Sequence, residues 1–138
     1  MKNQIAFCAF LGLTLMSCKK DKKISPDFLQ GRWNEEVEGF QTHRNYYSYT
    51  FNKNSNECQI LILRDNYYHA TDTTIFKKYV LDEDKNILTI FEGISINKNK
   101  NVEKYKVSLI NSTIMHWTAV QGEGNDRDRK MIKQKMDD

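Results

Sequence analysis

Residues 44–52 read Arg-Asn-Tyr-Tyr-Ser-Tyr-Thr-Phe-Asn, and their alternation decides the fold class. Tyr47, Tyr49 and Phe51 fall on one side of an extended chain, against Tyr46, Ser48 and Thr50 on the other, because successive side chains of a strand point to opposite faces. The rhythm returns later, where Tyr105, Val107 and Leu109 oppose Lys104, Lys106 and Ser108. Such alternation marks a sheet with one buried and one wet face. Working outward, strands are expected at 32–38, 44–52, 57–64, 66–72, 74–82, 87–95, 102–110 and 112–120. The turns between them are written in Asn and Asp, as at 52–56, 82–86, 97–101 and 111–112. Asn tolerates positive φ and closes local side-chain turns, so it stands in for glycine.

A chain of 138 residues is expected to form one domain. Beyond the N-terminal stretch Ala occurs at Ala70 and Ala119 alone, while Ile, Val, Tyr, Phe and Thr are plentiful, which favours sheet over helix. No run reaches the roughly eighteen apolar residues of a membrane-spanning helix. A helical membrane protein, a collagen, a disulfide-dense miniprotein and an all-α bundle are thereby excluded. Eight strands with short connections suit a small antiparallel up-and-down barrel, which leaves no exposed edge. Pro26-Asp27-Phe28-Leu29 reads as a short helical turn before the first strand. A barrel of this size is filled by its own side chains or holds one small ligand.

The N-terminus is an address. Lys2 precedes the apolar run Ile5–Met16, which has the length of a secretory signal core. It ends in Leu15-Met16-Ser17-Cys18, followed by Lys19-Lys20-Asp21-Lys22-Lys23. This resembles the lipobox of bacterial lipoproteins. The resemblance implies cleavage before Cys18, a diacylglyceryl group on its thiol and a further acyl chain, such as palmitate, on its amino group. Two or three such chains make a stable anchor, since each buried methylene contributes about 0.8 kcal/mol. The expected organisation is a signal peptide at 1–17, the lipidated Cys18 and a basic linker at 18–26, a barrel at 27–121, and a charged flexible tail at 122–138. Lys19, rather than Asp, after the cysteine implies the outer membrane by analogy. The lack of an acidic export signal there implies its periplasmic face.

Charge and cysteine usage agree with a tethered protein. The whole chain carries +3, and residues 19–23 carry four Lys against Asp21. With Lys2 and that linker set aside, sixteen basic side chains face seventeen acidic ones. The folded part is therefore nearly neutral, and nucleic acid is not an expected partner. Once Cys8 leaves with the signal and Cys18 is acylated, Cys58 is a lone thiol in a strand-like run, read as a small buried hydrophobe.

Leu29-Gln30-Gly31-Arg32-Trp33, ahead of the first strand, resembles the G-x-W signature of lipocalins. After a lipobox, and with Tyr-rich hairpins and the run Tyr105–Met115, the chain looks like the lipocalin-like lipoproteins of Bacteroidota. The resemblance implies that Trp33 plugs the closed end of the barrel and that Gly31 lets the backbone approach it. Lipocalins also carry a T-D-Y motif between late strands, whereas Thr71-Asp72-Thr73 lies mid-chain. They place an arginine from near the last strand over the Trp, and this chain has none between Arg64 and Arg127.

No nucleotide-binding, zinc-protease, nucleophile-elbow or C-x-x-C motif occurs, so neither an enzyme nor a cofactor is expected. His43, His69 and His116 lie apart without metal-ligand spacing, and no metal site is expected. Glu35, Glu36 and Glu38 cluster on the first strand and are read as solvent-exposed carboxylates. His116 and Trp117 alternate on the last expected strand, and the pattern leaves open which of them faces inward. Aromatic rings are the functional lead, with Tyr47, Tyr49, Phe51, Tyr105 and Trp117 as candidate ligand-binding residues. The leading expectation is a lipid-anchored envelope protein binding a small apolar or amphipathic ligand in or at the barrel. The alternative is a protein-binding accessory, inhibitor or immunity-type lipoprotein using the barrel exterior.

Overall fold

The computed structural model describes residues 22–36, 45–52, 54–64, 72–93, 101–120 and 127–135. One helical turn, α1 (Pro26–Leu29), leads into eight strands: β1 (Gly31–Glu35), β2 (Asn45–Phe51), β3 (Glu57–Arg64), β4 (Thr73–Asp82), β5 (Ile87–Phe91), β6 (Val102–Leu109), β7 (Ile114–Ala119) and β8 (Arg129–Lys133). Each strand pairs antiparallel with the next, and β8 returns to β1, so the sheet is a closed up-and-down barrel. Closure is read in the register Trp33↔Lys133, Asn34↔Ile132 and Glu35↔Met131. The all-β, eight-stranded expectation holds.

The strand expected at 66–72 lies outside the described residues except for Asp72, which precedes β4. One boundary needs correction: the segment read as a flexible tail contributes β8 and, with it, the seam of the barrel. That segment hid because two of the three side chains it turns inward, Arg129 and Lys133, are cationic; Met131 alone is apolar. Hydropathy alternation therefore vanishes where the interior supplies partners for charge.

Local chemistry explains the turns. Ser25 caps α1, its hydroxyl accepting from the Phe28 amide at 3.3 Å, and Pro26 occupies the first turn, where its missing N–H costs nothing. Gly31 has a φ of 97°, a left-handed value that lets the chain swing from α1 into β1 without a Cβ clash. Asn86 has a φ of 52° in the β4–β5 turn. Asn52 and Asn111 accept from the amides of Asn54 and Thr113 at 3.2 and 2.9 Å. Three of the four Asn/Asp turns read from sequence thus connect β2–β3, β4–β5 and β6–β7. The fourth lies largely outside the described residues.

The alternating topology places those three short connections at the end covered by residues 22–30. The C-terminal ends of β1, β3, β5 and β7 and the N-terminal ends of β2, β4, β6 and β8 lie at the opposite end, the mouth. At the covered end Ile24, Leu29 and Trp33 are buried in one cluster with Met115, Val107 and Met131. The Trp33 indole Nε1 donates to the Leu29 carbonyl at 2.8 Å, and its ring lies 5.6 Å from that of Phe28. Burying a side chain of this size contributes about 3 kcal/mol or more.

Candidate functional site: the barrel interior and its mouth

The five candidate ligand-binding residues converge inside the barrel, contributed by β2, β6 and β7. Tyr49, Phe51, Tyr105 and Trp117 are almost wholly buried, and Tyr47 is half-buried nearer the mouth. The indole of Trp117 is their hub, with ring centroids 5.0 Å from Tyr49, 5.3 Å from Tyr105 and 6.1 Å from Phe51. Phe51 in turn meets Tyr79 edge-on at 4.9 Å. Edge-to-face packing of this kind satisfies the ring quadrupoles and fills volume. The rings are thus packed on one another as core. Of the two residues left undecided on β7, Trp117 points inward, and His116 is half-buried on the outer face. The Trp117 Nε1 is buried without a hydrogen-bond partner, a cost of about 1–3 kcal/mol unless an acceptor comes to it.

Above the rings, toward the mouth, lies a charged layer. Glu35 is not solvent-exposed, as the first-strand carboxylates were expected to be. It shares the inward face of β1 with Trp33, two residues away, and is buried. Its carboxylate accepts from Arg129 Nη1 at 3.1 Å and is paired with Arg127 Nη2 at 2.7 Å. Glu36 faces out and pairs with Lys130; Glu38 lies outside the described residues. Arg129 Nε also donates to the Tyr105 hydroxyl at 3.4 Å, and that hydroxyl donates to Glu103 at 3.0 Å. Glu103 accepts from the buried Lys77 at 2.8 Å, and Glu92 lies 3.7 Å from the same ammonium. The chain Arg127–Glu35–Arg129–Tyr105–Glu103–Lys77–Glu92 therefore links four strands, β1, β4, β6 and β8, and two residues just beyond strand ends, with three positive and three negative groups. Charges removed from water are tolerated when each has partners of this kind. The Arg129 guanidinium also lies 4.5 Å from the Tyr47 ring centroid, a cation–π contact strengthened by desolvation.

Titration follows burial. The Tyr105 phenol is pushed up to about 12, first by burial and then by Glu103, while Arg129 works the other way. Burial likewise pushes up the Cys58 thiol, which sits in the core and is a poor nucleophile for that reason. Burial lowers the Lys133 ammonium. This lysine donates to the Phe28 carbonyl at 2.9 Å and lies 5.2 Å from the ring centroids of both Phe28 and Trp33. A lysine of β8 thus covers Trp33, the place that lipocalins give to an arginine from near the last strand.

Sequence reading missed Glu35, Lys77, Glu103, Arg127 and Arg129 as interior groups. A signal existed for three of them: Glu35, Lys77 and Glu103 each stand two residues from an inward aromatic, Trp33, Tyr79 or Tyr105. Among the described residues no group of three His, Cys, Asp or Glu side chains converges to hold a metal. His43 and His69 lie outside them. Cys18 also lies outside them, and the structure does not describe the lipobox.

On the outside, a hollow of about 430 Å³ opens across β1 to β4 beside Phe76, bordered by Gln30, Thr50, Asn52, Glu57 and Gln59. Phe76 is 70% exposed, and Val80, on the same face of β4, is exposed as well. Lys78 stands between them, paired with Glu57 at 2.7 Å.

These features define a small closed antiparallel barrel, capped at one end by a helical turn and carrying an ionic layer beneath its mouth. No protein-family model, curated protein or solved structure matches the chain.

Proposed function

We propose that this is a lipid-anchored, non-enzymatic cell-envelope protein of lipocalin-like build that acts as a binding accessory, recognising a protein partner through its rim and outer face. The lipobox around Cys18 supports the anchor, and the L-x-G-x-W segment before a closed barrel supports the kinship. One observation carries the choice of partner: the interior is occupied by the Tyr49–Trp117–Tyr105 ring cluster and, above it, by the Glu35–Arg129 and Glu103–Lys77 pairs. A deep apolar guest would have to displace both layers. The exposed Phe76 and Val80 beside a polar-rimmed hollow have the make-up of a contact patch, an apolar centre ringed by polar groups. The test is photo-crosslinking in the native envelope with a benzophenone residue at position 76 and, as control, at Lys106. One defined adduct specific to position 76 is expected; the same pattern from both positions, or none, rejects the outer-face reading.

A small amphipathic ligand at the mouth is the second reading, favoured by the unpartnered Trp117 Nε1 and the half-buried Tyr47. Native mass spectrometry of residues 24–138 separates the two. A reproducible added mass lost on mild activation supports the ligand, and a clean apo mass supports the protein partner.

A further inference from the structure

We infer that the capped end of the barrel lies against the membrane and the mouth points away from it, so that whatever the rim binds arrives from the aqueous side. The inference rests on acylation of Cys18. Its structural part is the way the linker is fastened. Ile24 is completely buried, and its amide donates to Asn86 Oδ1 at 3.0 Å. Asn86 Nδ2 returns a bond to the Lys22 carbonyl at 3.2 Å, and Lys23 Nζ pairs with Asp84 at 2.6 Å. Asn86 is itself held by its positive-φ turn, and its carbonyl accepts from the Val107 amide at 2.8 Å. The chain is therefore tied to the β4–β5 turn, at the capped end, from Lys22 onward.

Four residue steps separate Cys18 from Lys22, and they span about 14 Å at most. The barrel is taller, because a tilted eight-residue strand such as β6 rises about 20 Å. An anchor at Cys18 cannot reach round to the mouth. The basic linker, of which Lys23 is paired with Asp84, is then brought toward the headgroups, where anionic lipid attracts its remaining lysines. The β6–β7 turn at the same end presents Ile110, 57% exposed, an apolar tip suited to the interface. The mouth is carried outward.

The test uses the full-length acylated protein in phosphatidylethanolamine–phosphatidylglycerol vesicles containing a lipid with a nitroxide headgroup. A fluorophore is attached at Lys85→Cys, in the β4–β5 turn, or at Asn101→Cys, beside the mouth; buried Cys58 stays unlabelled. Several-fold stronger quenching at position 85 is expected. Equal quenching, or stronger quenching at position 101, overturns the orientation. A flexible insert of about twelve Gly and Ser residues after Lys20 lengthens the tether and is expected to abolish the difference; an undiminished difference overturns the tether argument. Mass spectrometry of the same preparation reads acylation separately. A protein lacking acyl chains removes the anchored reading of the preceding section, whereas an acylated protein with the wrong quenching order removes the orientation alone.

Discussion

Glu35 and Arg129 stand 94 residues apart in the chain and 3.1 Å apart in the barrel, both side chains almost wholly buried. One belongs to the first strand and the other to the last, so the pair spans the seam at which the sheet closes on itself. Removing Glu35 takes from the buried Arg129 its carboxylate partner and leaves the guanidinium with the Tyr105 hydroxyl and neighbouring rings. Glu35→Ala is expected to cost about 3–5 kcal/mol in urea unfolding, and the double variant Glu35→Leu/Arg129→Met should recover most of that loss. Additive losses in the double variant would show that the two side chains act independently.

Trp33 ties the cap to the barrel by area and by one hydrogen bond. Trp33→Ala is expected to cost about 3–5 kcal/mol, as large-to-small changes in cores do. Trp33→Phe keeps much of the area but loses the bond to the Leu29 carbonyl, and should cost about 1–2 kcal/mol more than an exposed aromatic exchange. Urea midpoints of the two variants check the order.

The last strand is the seam, and truncation tests it. A chain ending at Val120 leaves β1 and β7 without a neighbour on one side, exposing two edges to intermolecular pairing. It is expected to aggregate or to lose its sheet signature in circular dichroism. A monomeric, folded truncation would contradict the closure by β8.

The alkaline limb of stability follows from the tyrosines. The Tyr105 phenol titrates near 12 in the folded protein and near 10 when unfolded. Its contribution is therefore complete below about pH 10 and is lost between there and about pH 12, because the unfolded chain releases the proton first. Tyr49 and Tyr79 are raised by burial too and act in the same sense. Urea midpoints should fall steadily above pH 10, in step with phenolate absorbance of the unfolded state. Tyr105→Phe should flatten part of that fall.

Cys58 should be silent in the native protein. Buried in the core with its thiol pushed up, it is expected to react with a colorimetric disulfide reagent on the timescale of unfolding, and rapidly in concentrated urea. Prompt labelling under native conditions would mean that the β3–β4 wall opens.

How far the sequence disclosed the molecule depended on what each strand turns inward. The side chains of β2 and β6 alternate between apolar and polar, so Tyr47-Tyr49-Phe51 and Tyr105-Val107-Leu109 were legible as inner faces, and the Asn-rich turns marked their ends. The helical turn was legible from Pro26 and the following Leu-x-Gly-x-Trp. β8 was not, because Arg129 and Lys133 face inward to Glu35, to aromatic rings and to the Phe28 carbonyl, partners brought from the far end of the chain. Glu35 was misread for the same reason: whether an inward carboxylate is allowed depends on an arginine 94 residues away, which no local pattern reports. The aromatic residues were correctly gathered as a set, but spacing could not tell a lining from a filling.

The seam between β1 and β8 also sets an order of events. No fragment lacking residues 129–133 can finish this barrel, since they are the partner of its first strand and lie about a hundred residues further along the chain. Until residues 129–133 are free to move, β1 has an open side and Glu35 is without the Arg129 guanidinium. Completion is therefore a single late step, governed by the slow meeting of distant segments. A chain emerging stepwise, from a ribosome or any pore, would remain an unfinished sheet until residues 129–133 were free. The same lock that holds the barrel shut thus keeps the chain uncommitted until that segment arrives.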